Sequence, residues 1–253
     1  MQVIIDGLLI NYQKEGSGKT LLLLHGWNDN SAGHDILRKA LAQDYCLVTP
    51  DLPGFGASES PKKDWGLEDY SQFISQFVKK TNIEPLYGVI GHSNGGAIAI
   101  KSISDGLLSP IKLILLAASG IRQTQKGKMK LIKVLTKTGK VLIYPLPKKY
   151  KRNIRQRLYS RIGSDLLVAE HMTGSFKKII AEDIQKEAKN IEIPTLLIYG
   201  EEDKITPQVY GELYHQLING STLELITGAG HFVYLDKPQL VVNLINDYLR
   251  NEK

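Results

Sequence analysis

The stretch that most constrains this chain is Gly91-His92-Ser93-Asn94-Gly95-Gly96. It follows the apolar run Leu86, Tyr87, Val89 and Ile90, which reads as a buried strand. It precedes Ala97-Ile98-Ala99-Ile100-Lys101-Ser102-Ile103, which reads as a helix packed on a sheet. A Gly-x-Ser-x-Gly between strand and helix requires a sharp turn that strains the serine backbone. Gly91 and Gly95 leave room for it. Ser93 Oγ is then expected to stand above the sheet. The helix that starts at Asn94 would aim its free N–H groups and positive dipole end at the same spot. A glycine-rich turn with an idle serine would look alike locally, so the reading depends on partners elsewhere in the chain.

The rest of the pattern is an alternation of short apolar runs and amphipathic stretches. Val3–Ile5 and Leu8–Tyr12 flank Asp6-Gly7, a hairpin signal. Further strands are expected at Thr20–Leu24, Tyr45–Thr49, Leu86–Ile90, Ile111–Ala117, Pro194–Tyr199 and Ser221–Ile226. Helices are expected at Ser31–Ala42, Leu67–Thr81, Asn94–Leu107, Pro207–Leu217 and Lys237–Arg250. Strands alternating with helices predict an α/β fold, a mostly parallel central sheet with helices on both faces. The stretch from Gly120 to Ile193 breaks the alternation. It is too long for one crossover and reads as helical. The expected organisation is a core of residues 1–120 and 191–253 with a helical cap, residues 121–190, inserted over the C-terminal edge of the sheet. That edge is where open α/β sheets bind ligands.

A serine hydroxyl is a poor nucleophile at neutral pH and needs a base, itself oriented by an acid. His231, in Gly228-Ala229-Gly230-His231-Phe232, is the best-placed base, just past the last strand. The acid is expected between serine and histidine in chain order. Asp203 fits, in the loop after the strand Thr195–Tyr199; chemistry alone leaves Glu201 and Glu202 open as alternatives. An oxyanion formed during acyl transfer needs backbone N–H donors. Asn94 offers one, and the loop His25-Gly26-Trp27-Asn28 offers the second through Trp27. Trp27, His92 and Phe232 are expected at the substrate. His25 reads as structural, bonding the turn backbone. No spacing of His, Cys or carboxylates suits a metal, and no cofactor is expected.

These elements together resemble the α/β-hydrolase superfamily over nearly the whole chain. The matching pieces are His25-Gly26-Trp27, Asp51-Leu52-Pro53-Gly54-Phe55-Gly56-Ala57-Ser58, Gly91–Gly96, Gly200–Asp203 and Gly230-His231. The resemblance implies Ser93 as nucleophile, Asp203 as acid, His231 as base, Trp27 and Asn94 as oxyanion donors, and Asp51 as a structural brace. Haloalkane dehalogenases and epoxide hydrolases look similar but carry aspartate where this chain has Ser93. The expected activity is hydrolysis of a small-molecule carboxylic ester through an acyl-enzyme. Alternatives are a thioesterase, a lactonase or a C–C bond hydrolase with the same residues, or a non-catalytic ligand-binding protein on this fold.

Composition adds location and charge. Of 253 residues 42% are hydrophobic and 23% charged, ordinary for a globular protein. The first residues lack the basic leader and apolar core of a signal peptide, and the apolar runs are too short to span a bilayer. Cys46 is the single cysteine, so no internal disulfide forms. A cytoplasmic protein is the expectation. The net charge of +6 hides an asymmetry. Residues 121–190 hold 18 Lys+Arg and 5 Asp+Glu, a net of +13, against −7 for the remainder, and Gly106 to Ser164 contains no acidic residue. Lys130, Lys133, Lys137 and Lys140 recur at helical spacing opposite Leu131, Val134, Leu135, Thr138 and Leu142. Lys148, Lys149, Lys151, Arg152, Arg155 and Arg157 add a second cluster. A solvated face accounts for such a run. So does an anionic partner: a membrane surface, an acidic carrier or an anionic substrate. Nucleic acid is not expected, because no nucleic-acid motif accompanies the charge.

Overall fold

The computed structural model describes residues 1–122 and 170–251. The chain divides into two compact units, Met1–Ile121 with His171–Lys253, and Arg122–Glu170. The lysine and arginine clusters between 130 and 157 lie outside the described residues, as does most of the expected cap. Residues 171–190, which the pattern assigned to that cap, belong to the first unit.

The first unit is built on eight strands: β1 Gln2–Ile5, β2 Leu8–Glu15, β3 Thr20–Leu24, β4 Cys46–Pro50, β5 Leu86–His92, β6 Lys112–Leu116, β7 Thr195–Gly200 and β8 Thr222–Ile226. Their order in the sheet is β1-β2-β4-β3-β5-β6-β7-β8. β1 and β2 form the expected antiparallel hairpin, and β2 joins β4 antiparallel. From β4 to β8 every pairing is parallel. The hairpin turn puts Asp6 and Gly7 at φ 49° and 77°, the left-handed pair that such a turn demands.

The inner strands are buried on both faces. Leu21 and Leu23 point to one side and Leu22 and Leu24 to the other, and all four are buried. Helices cover the sheet: α1 Asp35–Leu41, α2 Leu67–Lys80, α3 Asn94–Ser104, α4 Thr173–Ile179, α5 Gln185–Ala188, α6 Gln208–Leu217, α7 Val233–Asp236 and α8 Pro238–Arg250. One core packs Leu21, Leu23, Ile90 and Ile198 against Leu37 and Leu41 of α1 and Val241, Ile245 and Leu249 of α8. α2 and α3 pack together, and α2 buries Leu67, Tyr70, Phe73, Ile74, Phe77 and Val78 at helical spacing.

Two helix ends are tied down across long stretches of chain. The α2 N-terminus receives Asp69 Oδ2 at the Gly66 N–H (2.7 Å) and Glu182 Oε1 at the Leu67 N–H (2.9 Å). Acceptors there satisfy donors that the helix leaves free. The α8 C-terminus receives the buried Lys112 ammonium, which donates to the carbonyls of Tyr248 (2.7 Å), Leu249 (3.2 Å) and Asn251. The expected helix Ser31–Ala42 is in two parts. A 3-10 turn, Ser31–His34, is capped by the Asn30 side chain, and α1 follows it. Among the described residues no helix is long and apolar enough to cross a membrane.

Candidate active site

Ser93 occupies the turn between β5 and α3 with φ 50° and ψ −115°, a left-handed value that costs a non-glycine residue about 1–3 kcal/mol. The surroundings hold it there. Its N–H bonds to Leu116 O at the end of β6 (3.0 Å), and its carbonyl accepts from Gly96 and Ser119 (3.0 Å each). The glycines are required by close approach. A Cβ on Gly91 would lie 2.6 Å from Gly96 Cα. One on Gly95 would overlap the Leu24 carbonyl, and one on Gly96 would lie 2.6 Å from Ala118 Cβ. β3, β5, β6 and α3 thereby crowd around one serine, which is 8% exposed.

The loop after β3 leans on this turn. A Cβ on Gly26 would sit 3.0 Å from His92 Nδ1 and 3.3 Å from Ser93 Cβ. His25 is buried and structural, as expected. Its Nδ1 donates to Gly26 O (2.8 Å), and its Nε2 accepts from the Leu52 N–H (2.8 Å). Asp51 braces the next loop. Its carboxylate accepts from the backbone of Ser31 (2.7 Å) and Ala57 (2.9 Å) and from Asn11 Nδ2 (2.9 Å). Burial alone would raise the Asp51 carboxyl, but these bonds hold it below the ordinary carboxylate value. Trp27 is half-buried, edge-on to Phe55 at 4.8 Å and tilted against Phe176 of α4 at 5.1 Å. The part played by Phe176 has no local signal, because 149 positions of chain separate it from Trp27.

His231 and Asp203 meet beyond the ends of β8 and β7. His231 Nδ1 lies 2.8 Å from Asp203 Oδ2, with the Asp203 side chain fully buried and the His231 side chain 10% exposed. Gly200 makes this possible, since a Cβ there would overlap the carbonyls of Ala229 and Gly230. The Glu202 N–H then reaches Ala229 O at 2.9 Å. Of the three acidic candidates only Asp203 is brought to His231; Glu201 and Glu202 are exposed. Asp203 Oδ1 accepts from the N–H groups of Ile205 (2.7 Å) and Thr206 (3.0 Å), and Oδ2 also accepts from Thr206 Oγ1 (2.7 Å). Burial opposes the charged form, but the His231 bond and these donors hold the carboxyl below its ordinary value. With Nδ1 donating to the carboxylate, Nε2 of neutral His231 keeps a free lone pair.

His92, expected at the substrate, is 1% exposed. Its Nε2 donates to the His231 carbonyl oxygen at 3.1 Å. Its ring packs 4.8 Å from His231 and 5.2 Å from both Phe232 and Tyr234. Burial pushes it well below the ordinary imidazole value, so it is neutral. Phe232 is 40% exposed. Asn94 opens α3, where the first N–H groups have no acceptor within the helix. Among the described residues no group of three or more His, Cys, Asp or Glu is placed to hold a metal ion.

An eight-stranded, mostly parallel sheet with a strained serine after β5, a carboxylate after β7 and a histidine after β8 defines the α/β-hydrolase fold. A profile of the alpha/beta hydrolase family matches residues 21–244, and the chain belongs to that family. It is similar to 2-hydroxy-6-oxo-6-(2'-aminophenyl)hexa-2,4-dienoic acid hydrolase of Metapseudomonas resinovorans, 22% identical over 263 residues, covering 96% of this chain and 88% of the other. Two solved structures share the fold. One is a membrane phospholipase A described as a bacterial virulence factor (TM-score 0.79, 23% identity, 99% of this chain and 86% of that one). The other is an esterase from Exiguobacterium antarcticum (TM-score 0.76, 22% identity, 98% of each chain). Family membership, with esterase, lipase and C–C bond hydrolase neighbours, supports hydrolase activity.

Proposed function

We propose that this protein is a serine hydrolase that cleaves carboxylic esters. The observation that carries the reading is the buried Asp203–His231 hydrogen bond at the same sheet edge as the strained Ser93. In this reading His231 Nε2 takes the Ser93 proton as Oγ attacks the ester carbonyl. Asp203 fixes the imidazole tautomer and balances the imidazolium. The N–H groups of Trp27 and Asn94 receive the oxyanion. The alcohol leaves with the proton from His231, and a water activated by His231 resolves the acyl-enzyme. Among the described residues nothing hydrogen-bonds the Ser93 hydroxyl, and nucleophile–base bonds commonly tighten only around substrate. Trp27, with Phe55 and Phe176 behind it, would form an apolar wall for the acyl group.

Labelling with a fluorophosphonate tests the nucleophile: wild type should be modified at Ser93 and Ser93→Ala should not. A panel of esters of graded acyl length, with a thioester, a lactone and a vinylogous diketone beside them, separates ester hydrolysis from related chemistry on the same residues. Failure of both labelling and turnover would leave a ligand-binding protein on this fold.

A further inference from the structure

We infer that Thr206 is a positioning residue that registers the Asp203–His231 pair against the Ser93 turn, an inference that rests on the catalytic reading above. Its hydroxyl oxygen lies 2.7 Å from Asp203 Oδ2, 3.1 Å from His231 Nδ1 and 2.9 Å from the carbonyl oxygen of Ala117. The residue is 2% exposed, so no water competes for these contacts. A hydroxyl has one proton, and both the carboxylate and the carbonyl only accept. The proton therefore serves the two oxygens, while the His231 Nδ1–H sits between the carboxylate and the hydroxyl lone pair. One small group touches the acid, the base and the end of β6.

The end of β6 leads back to the nucleophile. Ala117 has φ 46°, a conformation that L side chains rarely adopt, and it is fully buried. Its N–H stays on Ile198 O of β7 (2.9 Å), while its carbonyl meets the Thr206 hydroxyl. Two residues on, the Ser119 N–H donates to the carbonyl of Ser93 itself (3.0 Å). Between them Ala118 packs on Gly96 so closely that no side chain fits there. Residues 117–119 are thus a strap with one end on Ser93 and the other on Thr206. The other carboxylate oxygen, Asp203 Oδ1, is already satisfied by N–H groups of its own loop. What the Thr206 hydroxyl adds is a link out of that loop to the strand that carries the strap.

Thr206→Val keeps the branched shape and removes the hydroxyl; Thr206→Ser keeps the hydroxyl. Each is compared with wild type by fluorophosphonate labelling rate, by ester kinetics across pH, and by the low-field proton resonance of the His231 Nδ1–H. Thermal unfolding verifies that each is folded. The valine variant should lose about tenfold or more in kcat and labelling rate, as expected for a lost hydrogen bond to a charged group. KM should stay within about twofold, because the hydroxyl does not meet substrate. Loss of the hydroxyl changes both the carboxylate and the surroundings of the Nδ1–H, so the acidic limb of the pH–rate profile and the Nδ1–H resonance should both move. Serine should restore all of these. A valine variant that matches wild type overturns the inference. So does a slower variant with an unchanged profile and resonance, since Thr206 would then only fill space. If the valine variant fails to fold, a serine variant that departs from wild type in rate and profile overturns it as well. An unlabelled, inactive wild type overturns the catalytic reading instead, and the resonance alone then decides whether the hydroxyl acts on the Asp203–His231 bond.

Discussion

His92 Nε2 donates to the carbonyl oxygen of His231 across 3.1 Å, so the residue before Ser93 grips the backbone of the residue that carries the proposed base. This contact requires a proton on His92 Nε2, and burial keeps the ring neutral. The same cluster contains His34, stacked on Tyr234 at 5.0 Å and facing His92 at 6.0 Å. A set of uncharged histidines beneath the site has a consequence for acid stability.

Burial pushes His25, His34 and His92 below the ordinary imidazole value, His34 to about 3. The unfolded chain takes up these protons near pH ~6.5. Below that pH the unfolded state binds more protons than the folded one, so stability falls as pH drops, by about 1.4 kcal/mol per pH unit for each group. The urea midpoint should be flat above neutrality and fall steadily from about pH 6.5 toward pH 4. His34→Gln should flatten that fall by about one proton. A midpoint constant from pH 7 to pH 4 would mean that these rings are not held neutral.

Ser93→Ala should reduce p-nitrophenyl ester turnover by ~10⁴-fold or more while leaving the fold intact. Circular dichroism and steady-state rates on one preparation check both halves. Relief of backbone strain is not expected, since alanine at φ 50° is as strained as serine.

Asp203→Asn should lower kcat by several decades, roughly ~10⁴-fold, because the imidazole loses its tautomer and its counter-charge. Glu202→Gln should change it little, as Glu202 is exposed and its backbone alone bonds to the His231 loop. A reversal of the two effects would place the acid at Glu202.

Replacing Lys130, Lys133, Lys137 and Lys140 with glutamine tests the basic segment, whose net +13 contrasts with −7 elsewhere. Steering acts on encounter and is screened over a Debye length of about 8 Å at physiological salt. The variant should bind anionic vesicles less, or show a higher KM for an anionic or carrier-bound acyl substrate, and keep its kcat on a short neutral ester. Both differences should shrink at high salt. Equal behaviour of the two proteins in vesicle sedimentation and kinetics would leave the lysines as solvated surface.

The legible parts of this molecule are those whose cause is local. Gly91 and Gly95 are needed within a few residues of Ser93, so the turn could be read from six letters. The inner parallel strands show as apolar runs because both of their faces are covered. The meeting of Asp203 with His231 was readable as chain order, but the choice over Glu201 and Glu202 needed the burial that the fold supplies. Thr206, the strap at residues 117–119 and the histidine cluster left no signal, since their contacts join the ends of different strands. Adjacency of His92 to Ser93 says nothing about which side of the turn the ring occupies.

The strand order also sets a timetable. β5 and β6 precede residues 122–170, while β7 and β8, with Asp203 and His231 at their ends, come after them. In the sheet β7 docks on β6 and β8 on β7. A ribosome therefore delivers the strained serine long before Asp203 and His231. In the proposed mechanism the nascent chain carries an unreactive hydroxyl until the final edge strand zips into place. Synthesis and arming are then separated in time, and a polypeptide stalled before β8 should be inert toward fluorophosphonates however well its first half has folded.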